Sequence, residues 1–333
     1  MSSRISGQKI NYSVRPGKSI ERKMIRDILS RLFVFYPLKE YQYIGFGSKY
    51  FTDFTLFHKS INLKKMISLE QDIENSERYN FNKPFQCIEI CFERSSEWLM
   101  AKEGINEPSI VWFDYDGSFD QTMVDDCCNL ARKLNSGSVF ALSFNYTAPK
   151  EEQLSRKFPD TTVNPYLQWF EELFGTSHID PTMDTRGLSD KFKFLKRLIP
   201  ILESVLDKVI SERNEFIEDT NEKFLIKPLF SFTYRDGAPM ATIGWILIHN
   251  KHFANYELMK LGEFEFCSEN MEEPYDIDPA NLTIREIRYL SEIVSNLDGE
   301  LDDDQIKYFT NDEISSFKKL YKYFPAFTEI EAY

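Results

Sequence analysis

Apolar positions in the first 145 residues switch between two spacings. Over residues 18–35, Ile20, Met24, Ile28, Leu32 and Phe35 recur at helical intervals, and Pro37 closes the segment. YQYIGFGS (41–48) is a short apolar strand running into two glycines, after which Phe51, Phe54, Phe57, His58 and Ile61 set out a second helix. KKMISLEQD (64–72) is an apolar run ending in acids, and FQCIEICFE (85–93) alternates apolar with polar. SIVWFDYDG (109–117) is an apolar strand ending in carboxylates; a helical pattern over DQTMVDDCCNLARKLN then leads to the strand SVFALSFN (138–145). Strands alternating with helices predict a parallel sheet, whose ligand site lies beyond the carboxyl ends of its strands.

From about 149 to 226 the pattern is helical, in PKEEQLSRKF, NPYLQWFEELFG and SDKFKFLKRLIPILESVLDKVISERN. Residues 227–250 then hold two strongly apolar strands around Arg235-Asp236-Gly237, the signal of an antiparallel hairpin. Two capping-box sequences, Thr283-x-x-Glu286 and Thr310-x-x-Glu313, each open a helix, and the acidic NLDGELDDD between them reads as an exposed linker. The expected organisation is a helical lead-in (1–37), an α/β core (38–148 and 227–255), a helical insertion (149–226) and a helical C-terminal extension (273–333).

A hydrophobic content of 42% in 333 residues is enough for a sizeable core. No apolar run reaches about 18 residues, and the opening MSSRISGQKINYS has no signal-peptide core, so a cytoplasmic protein without membrane contact is expected. Cys87, Cys91, Cys127, Cys128 and Cys267 form no CxxC, and His58, His178, His249 and His252 are scattered; reduced thiols and no metal site are expected. A net charge of −13 disfavours broad attraction to nucleic acid. The one basic stretch, Arg15, Lys18, Arg22, Lys23, Arg26 and Arg31, is a candidate nucleic-acid contact, with a solvated helix face as the plainer reading.

Chemistry concentrates at four strand ends. Gly45-Phe46-Gly47 suits a tight turn that lets a cofactor approach the backbone, and Glu70, 25 residues after Gly45, ends the next strand where a carboxylate can accept from two ribose hydroxyls. Asp114, Tyr115 and Asp116 end the fourth strand, where carboxylates can orient a cofactor ammonium, hold a nucleophile or act as a base. Asn145-Tyr146 after the fifth strand, with Tyr50 and Tyr115, can shape a flat substrate pocket.

The order of parts over residues 20–145 and 227–250 resembles a class I S-adenosylmethionine-dependent methyltransferase, and YQYIGFGSKYFTDF, MISLEQD and WFDYDG look like those of bacterial proteins labelled putative O-methyltransferase. The resemblance implies an α/β, Rossmann-like fold: a seven-stranded, mostly parallel sheet closed by an antiparallel hairpin. It implies S-adenosyl-L-methionine as cofactor and an unidentified oxygen or nitrogen acceptor. Gly45, Phe46, Gly47 and Ser48 would pass beneath its methionine part, Glu70 would hold the ribose, Ser95 the adenine, and Asp114 would lie near the methyl group. Asp114, Asp116 and Asn145 are then the catalytic candidates, with the helices of 150–225 as a substrate lid. Three positions depart from the family pattern: Tyr43 stands in place of an acid, Lys49 of the third glycine, and Arg94 of the third-strand aspartate. Two other readings remain open. In one, the chain is a non-catalytic methyltransferase-like subunit that docks a protein partner through the C-terminal helices, by way of Phe317, Leu320, Tyr321, Phe324 and Phe327, a face that can equally pack back on its own domain. In the other, a nucleotide-handling enzyme sets Lys49 on a phosphate.

Overall fold

A computed structural model describes residues 15–159, 162–294 and 306–325. The opening segment 1–14, the acidic linker 296–304 and Phe327 lie outside the described residues. The strands are β1 (Gln42–Gly45), β2 (Lys65–Leu69), β3 (Ile88–Cys91), β4 (Ser109–Ser118), β5 (Ser138–Asn145), β6 (Phe224–Arg235), β7 (Pro239–His249) and β8 (Tyr275–Ile277). They form one sheet in the order β3-β2-β1-β4-β5-β7-β6-β8. The first five are parallel, β7 runs antiparallel to β5, and β6 and β7 pair as the antiparallel hairpin.

The sheet therefore has eight strands among the described residues, one more than expected. The addition, β8, pairs in parallel with β6 at the sheet edge. Its three residues are too few to show a period of two. β4 and β5 are buried on both faces, which is why Ile110 to Phe113 and Val139 to Leu142 read as unbroken apolar runs. Strand order reverses between β1 and β4, so the crevice at their carboxyl ends is the topological switch point.

Helices cover both faces. On one side α1 (Pro16–Ser30) and α2 (Thr52–Ile61) pack on β1, β4 and β6, with Ile20, Met24 and Ile28 meeting Phe54, Phe57 and Phe232 in one core. On the other lie α3 (Gln121–Lys133), α4 (Glu151–Lys157), α5 (Pro165–Phe174) and α6 (Lys191–Arg213). The segment expected as a lid has a different task. Leu195, Leu198, Ile199 and Leu202 of α6 share a core with Phe140, Ile243 and Trp245, so α6 is a structural layer beneath β5 and β7. No described residue of 149–226 lines the cleft described below.

Both capping boxes form, on α7 (Ile284–Ile293) and α8 (Asn311–Leu320). Their apolar faces pack together through Leu290 and Phe317, both fully buried, while Leu320 joins the main core; among the described residues the sticky tail is covered by its own chain. The basic stretch is not a solvated face either. Lys18 and Arg22 are buried, Lys23 donates to the carbonyls of Tyr323 and Phe324, and Arg31 pairs with Glu263. All five cysteines are free thiols, and no helix among the described residues is long and apolar enough to cross a membrane.

Candidate active site

The carboxyl ends of β2, β1 and β4 open into a cleft of about 200 Å³ lined by Phe46, Gly47, Ser48, Glu70, Ser95, Asp114 and Asp116. Chain topology brings these together from four parallel strands: Phe46, Gly47 and Ser48 follow β1, Glu70 follows β2, Ser95 comes after β3, and Asp114 and Asp116 belong to the end of β4. Ser48 and Phe51 take left-handed backbone conformations, which fold the segment between β1 and α2 tightly enough for Phe51 N–H to reach the Gly47 carbonyl at 2.8 Å. A Cβ on Gly47 would stand 2.6 Å from both the Phe51 ring and Ser68 Oγ, so only glycine fits.

Gly47 N–H donates to Ser68 Oγ at 3.0 Å, and Ser68 Oγ–H donates onward to Glu70 Oε1 at 2.7 Å. Glu70 is 7% exposed. Burial pushes its carboxyl up to about 7, against the hydrogen bonds from Ser68 and the Ser48 and Gly47 backbone, which pull it down. The glycine turn and the β2 carboxylate are thus wired to each other.

The acid absent at position 43 arrives from elsewhere. Tyr43 is fully buried and its hydroxyl donates to Asp53 Oδ2, carried in by the first turn of α2. Asp53 lines the cleft. Burial raises its carboxyl, while the charge of Arg22 on α1 and the Tyr43 hydroxyl hold it down. The pair supplies a carboxylate below the glycine turn.

At the end of β4 the ladder with β5 breaks register between Asp114 and Ser118, a bulge that lifts Asp114, Tyr115 and Asp116 out toward the cleft. Asp114 Oδ1 accepts from Lys18 Nζ at 2.7 Å. Lys18 also faces Glu21 Oε2 at 2.8 Å, and the backbone N–H groups of Gly17 and Lys18 donate to the Asp236 carboxylate at 3.1 and 2.8 Å. Glu21 is fully buried and its carboxyl is raised, by desolvation first, with Lys18 opposing. Asp236, legible only as part of a turn, therefore caps the helix that delivers Lys18.

Toward β3, Tyr115 hydroxyl donates to the buried Asp126 Oδ2 at 2.5 Å and lies 3.2 Å from Ser95 Oγ. Burial and the Asp126 charge push the Tyr115 phenol far up, so it remains a donor. The acid at the β3 end is Glu93, which lines the cleft; Arg94 is exposed and does not. Gly45, Asn145 and Lys49 are also absent from the lining. A Cβ on Gly45 would meet Tyr43 Oη at 2.7 Å inside the sheet, Asn145 Oδ1 accepts from Thr147 N–H at 2.9 Å, and Lys49 Nζ sits 5.1 Å from the Tyr50 ring centre. No local sequence pattern marks Asp53, Glu93, Glu21 or Asp126, and Lys18 and Arg22, which read as a helix surface, are buried. No group of three His, Cys, Asp or Glu side chains among the described residues is placed to hold a metal ion.

A family model described as "Putative O-methyltransferase" matches residues 10–332. No curated protein matches the chain. Among solved structures, it is similar to a putative S-adenosylmethionine-dependent methyltransferase from Listeria monocytogenes at 9% identity and a TM-score of 0.36, covering 67% of this chain and 98% of the other. It is similar to an rRNA methylase from Streptococcus thermophilus at 10% identity and a TM-score of 0.35, covering 68% and 95%. For the N-methyltransferase NodS from Bradyrhizobium japonicum, in complex with S-adenosylhomocysteine, the values are 7% and 0.35, covering 70% and 88%. These likenesses are loose, and none brings its own activity to this chain.

Proposed function

The chain belongs to the family described as Putative O-methyltransferase, and from that premise we propose that it moves a methyl group from S-adenosyl-L-methionine to an oxygen or nitrogen acceptor. The observation that carries the reading is the hydrogen-bonded link from the Gly47 turn through Ser68 to Glu70, at the switch point of the sheet. The residues present fit the cofactor. Gly47 and Ser48 line the cleft, where a ligand can lie against their backbone, and Glu70 offers a buried carboxylate to a pair of ribose hydroxyls. Ser95 and the Tyr115 ring would hold the adenine end, and Gly47 and Ser48 the methionine part.

When bound, the cofactor supplies a methyl group made electrophilic by the positive sulfur. The chain's own contribution is positional and electrostatic. Phe46 stacks on Phe113 at 5.1 Å and packs edge-on against Tyr115, giving the cleft a fixed apolar wall. Asp114 presents a carboxylate to the cleft, held by Lys18, and would orient the acceptor. Asp116, next along the same bulge, is the second acid within reach of an acceptor.

Titration calorimetry with S-adenosylhomocysteine tests the reading. The wild-type protein binds it, Gly47→Trp and Glu70→Ala lose it, and ATP and NAD do not compete. Absence of binding by either sulfur compound at millimolar concentration overturns the proposal.

A further inference from the structure

On the β3 side of the cleft the hydrogen bonds run in one direction, and the residue that sets it stands outside the lining. Asp126, on α3, is fully buried and does not line the cleft. Its Oδ2 accepts from Tyr115 Oη at 2.5 Å, and Ser95 Oγ lies 3.2 Å from the same phenol oxygen. A phenol has one hydrogen, which here goes to Asp126, so Tyr115 Oη meets Ser95 as an acceptor and Ser95 Oγ–H is the donor. Both hydroxyl groups favour the ionised form of Asp126, against a burial that raises its carboxyl. Asp126 Oδ1 has no hydrogen-bond partner among the described residues.

With its hydrogen turned inward, Ser95 Oγ offers the cleft lone pairs only. Ser95 lines the cleft while 3% exposed, so a ligand group set against it gives up water for that one partner. A donor is satisfied there, whereas an acceptor meets a second acceptor and stays unpaired. Purines differ in this respect at C6, where adenine carries an amino group and hypoxanthine a carbonyl oxygen. Arg94, at the position where the family pattern has an aspartate, is exposed and off the cleft. The carboxylate that acts through these two hydroxyls comes instead from the helix after β4.

Building on the cofactor reading above, we propose that Asp126 is a positioning residue for cofactor choice: through Tyr115 it fixes Ser95 Oγ as the acceptor for the amino group at C6 of the base, so that a 6-amino purine is held and a 6-oxo purine rejected. An ionised carboxylate suits this task because it only accepts. Asparagine at 126 reverses the chain. Its oxygen takes the place of Oδ1, which has no partner to lose, and its NH2 donates to Tyr115 Oη. Tyr115 then gives its hydrogen to Ser95, and Ser95 gives its own to the cleft.

Titration calorimetry with S-adenosylhomocysteine and S-inosylhomocysteine, which carries the 6-oxo base on the same ribose and amino acid, tests this. The ratio of the two affinities cancels what Glu70 and Asp114 contribute to both. Wild-type protein should bind the adenosyl compound about ten-fold or more tightly, the scale of one unpaired polar group in a desolvated site. In Ser95→Ala the preference should shrink to about three-fold or less, mainly because the adenosyl compound binds more weakly. In Asp126→Asn it should vanish or invert, with the inosyl compound gaining affinity, which a purely structural role for Asp126 does not produce. Equal affinities in the wild type, or a preference for the inosyl compound, overturn the inference and leave the cofactor reading standing. An unchanged ratio in Asp126→Asn overturns it too, because the choice then rests on groups outside the chain of hydroxyls, such as Glu93. Equal weakening of both ligands, or loss of both, in Asp126→Asn assigns Asp126 to the folding of the cleft and removes it from the positioning role. If the wild type binds neither ligand, the cofactor reading itself fails, and this inference with it.

Discussion

Replacing Glu70 by glutamine should make the protein more stable and less able to bind its cofactor, and both effects should follow the same titration. Burial raises the Glu70 carboxyl from 4.5 to about 7, so the folded state holds a proton that the unfolded chain releases in that interval. A raised acid contributes stability that is complete below about pH 4.5 and is lost as pH rises through about 7. At pH 8 the folded wild type therefore carries the full cost of a buried, ionised carboxylate, about 3 kcal/mol for a shift of this size. Glutamine is neutral throughout and its amide oxygen can still accept from Ser68 Oγ. Urea unfolding at a series of pH values should show Glu70→Gln more stable than wild type by up to about 3 kcal/mol at pH 8, with the two converging below pH 5. Binding of S-adenosylhomocysteine to the wild type should weaken as pH falls below 7, by up to about ten-fold per pH unit if only the ionised carboxylate accepts from the ribose. The variant should bind weakly at every pH. Parallel stability curves for the two proteins between pH 5 and 8 would refute the buried titration, and wild-type affinity in Glu70→Gln would refute the ribose contact.

Two further substitutions probe the supports of the cleft. Asp236→Ala removes the acceptor for the Gly17 and Lys18 N–H groups at the start of α1, and should cost about 1–2 kcal/mol in urea unfolding, the loss expected of a helix cap; an unchanged midpoint would show that water replaces the carboxylate. Tyr43→Phe takes a hydroxyl donor from the buried Asp53 and should cost about 1–3 kcal/mol. Because that hydroxyl favours the ionised form of Asp53, whose carboxyl burial raises, the loss should grow as pH rises above the ordinary carboxylate range, and a loss independent of pH would place the effect in packing instead.

What the sequence could and could not reveal divides along one physical line, the assumption that charged residues stay outside. Where it holds, pattern sufficed: Ile110 to Phe113 is buried on both faces and reads as a central strand, Thr283 and Thr310 carry their capping partners three residues on, and Arg235-Asp236-Gly237 does turn a hairpin. Amphipathic spacing also found the helix of Lys191–Arg213, but a helical stripe does not say which surface it covers, so a sheet layer was read as a lid. Where the assumption fails, local pattern is silent. Lys18 and Arg22 read as an exposed helix face, solvated or touching nucleic acid, because most such residues are exposed, yet both are buried, Lys18 against Asp114 from 96 residues away and Arg22 where its charge acts on Asp53 of α2. No local window contains those partners. The departure at Tyr43 is the instructive case: a phenol stands at the expected position of an acid, while ten residues on, in the first turn of the next helix, Asp53 puts a carboxylate on the cleft and accepts the hydrogen bond of that phenol. A missing charge at one position of a buried site is thus best read together with the charges that the following helix turns inward, since burial obliges polar partners to occur in pairs.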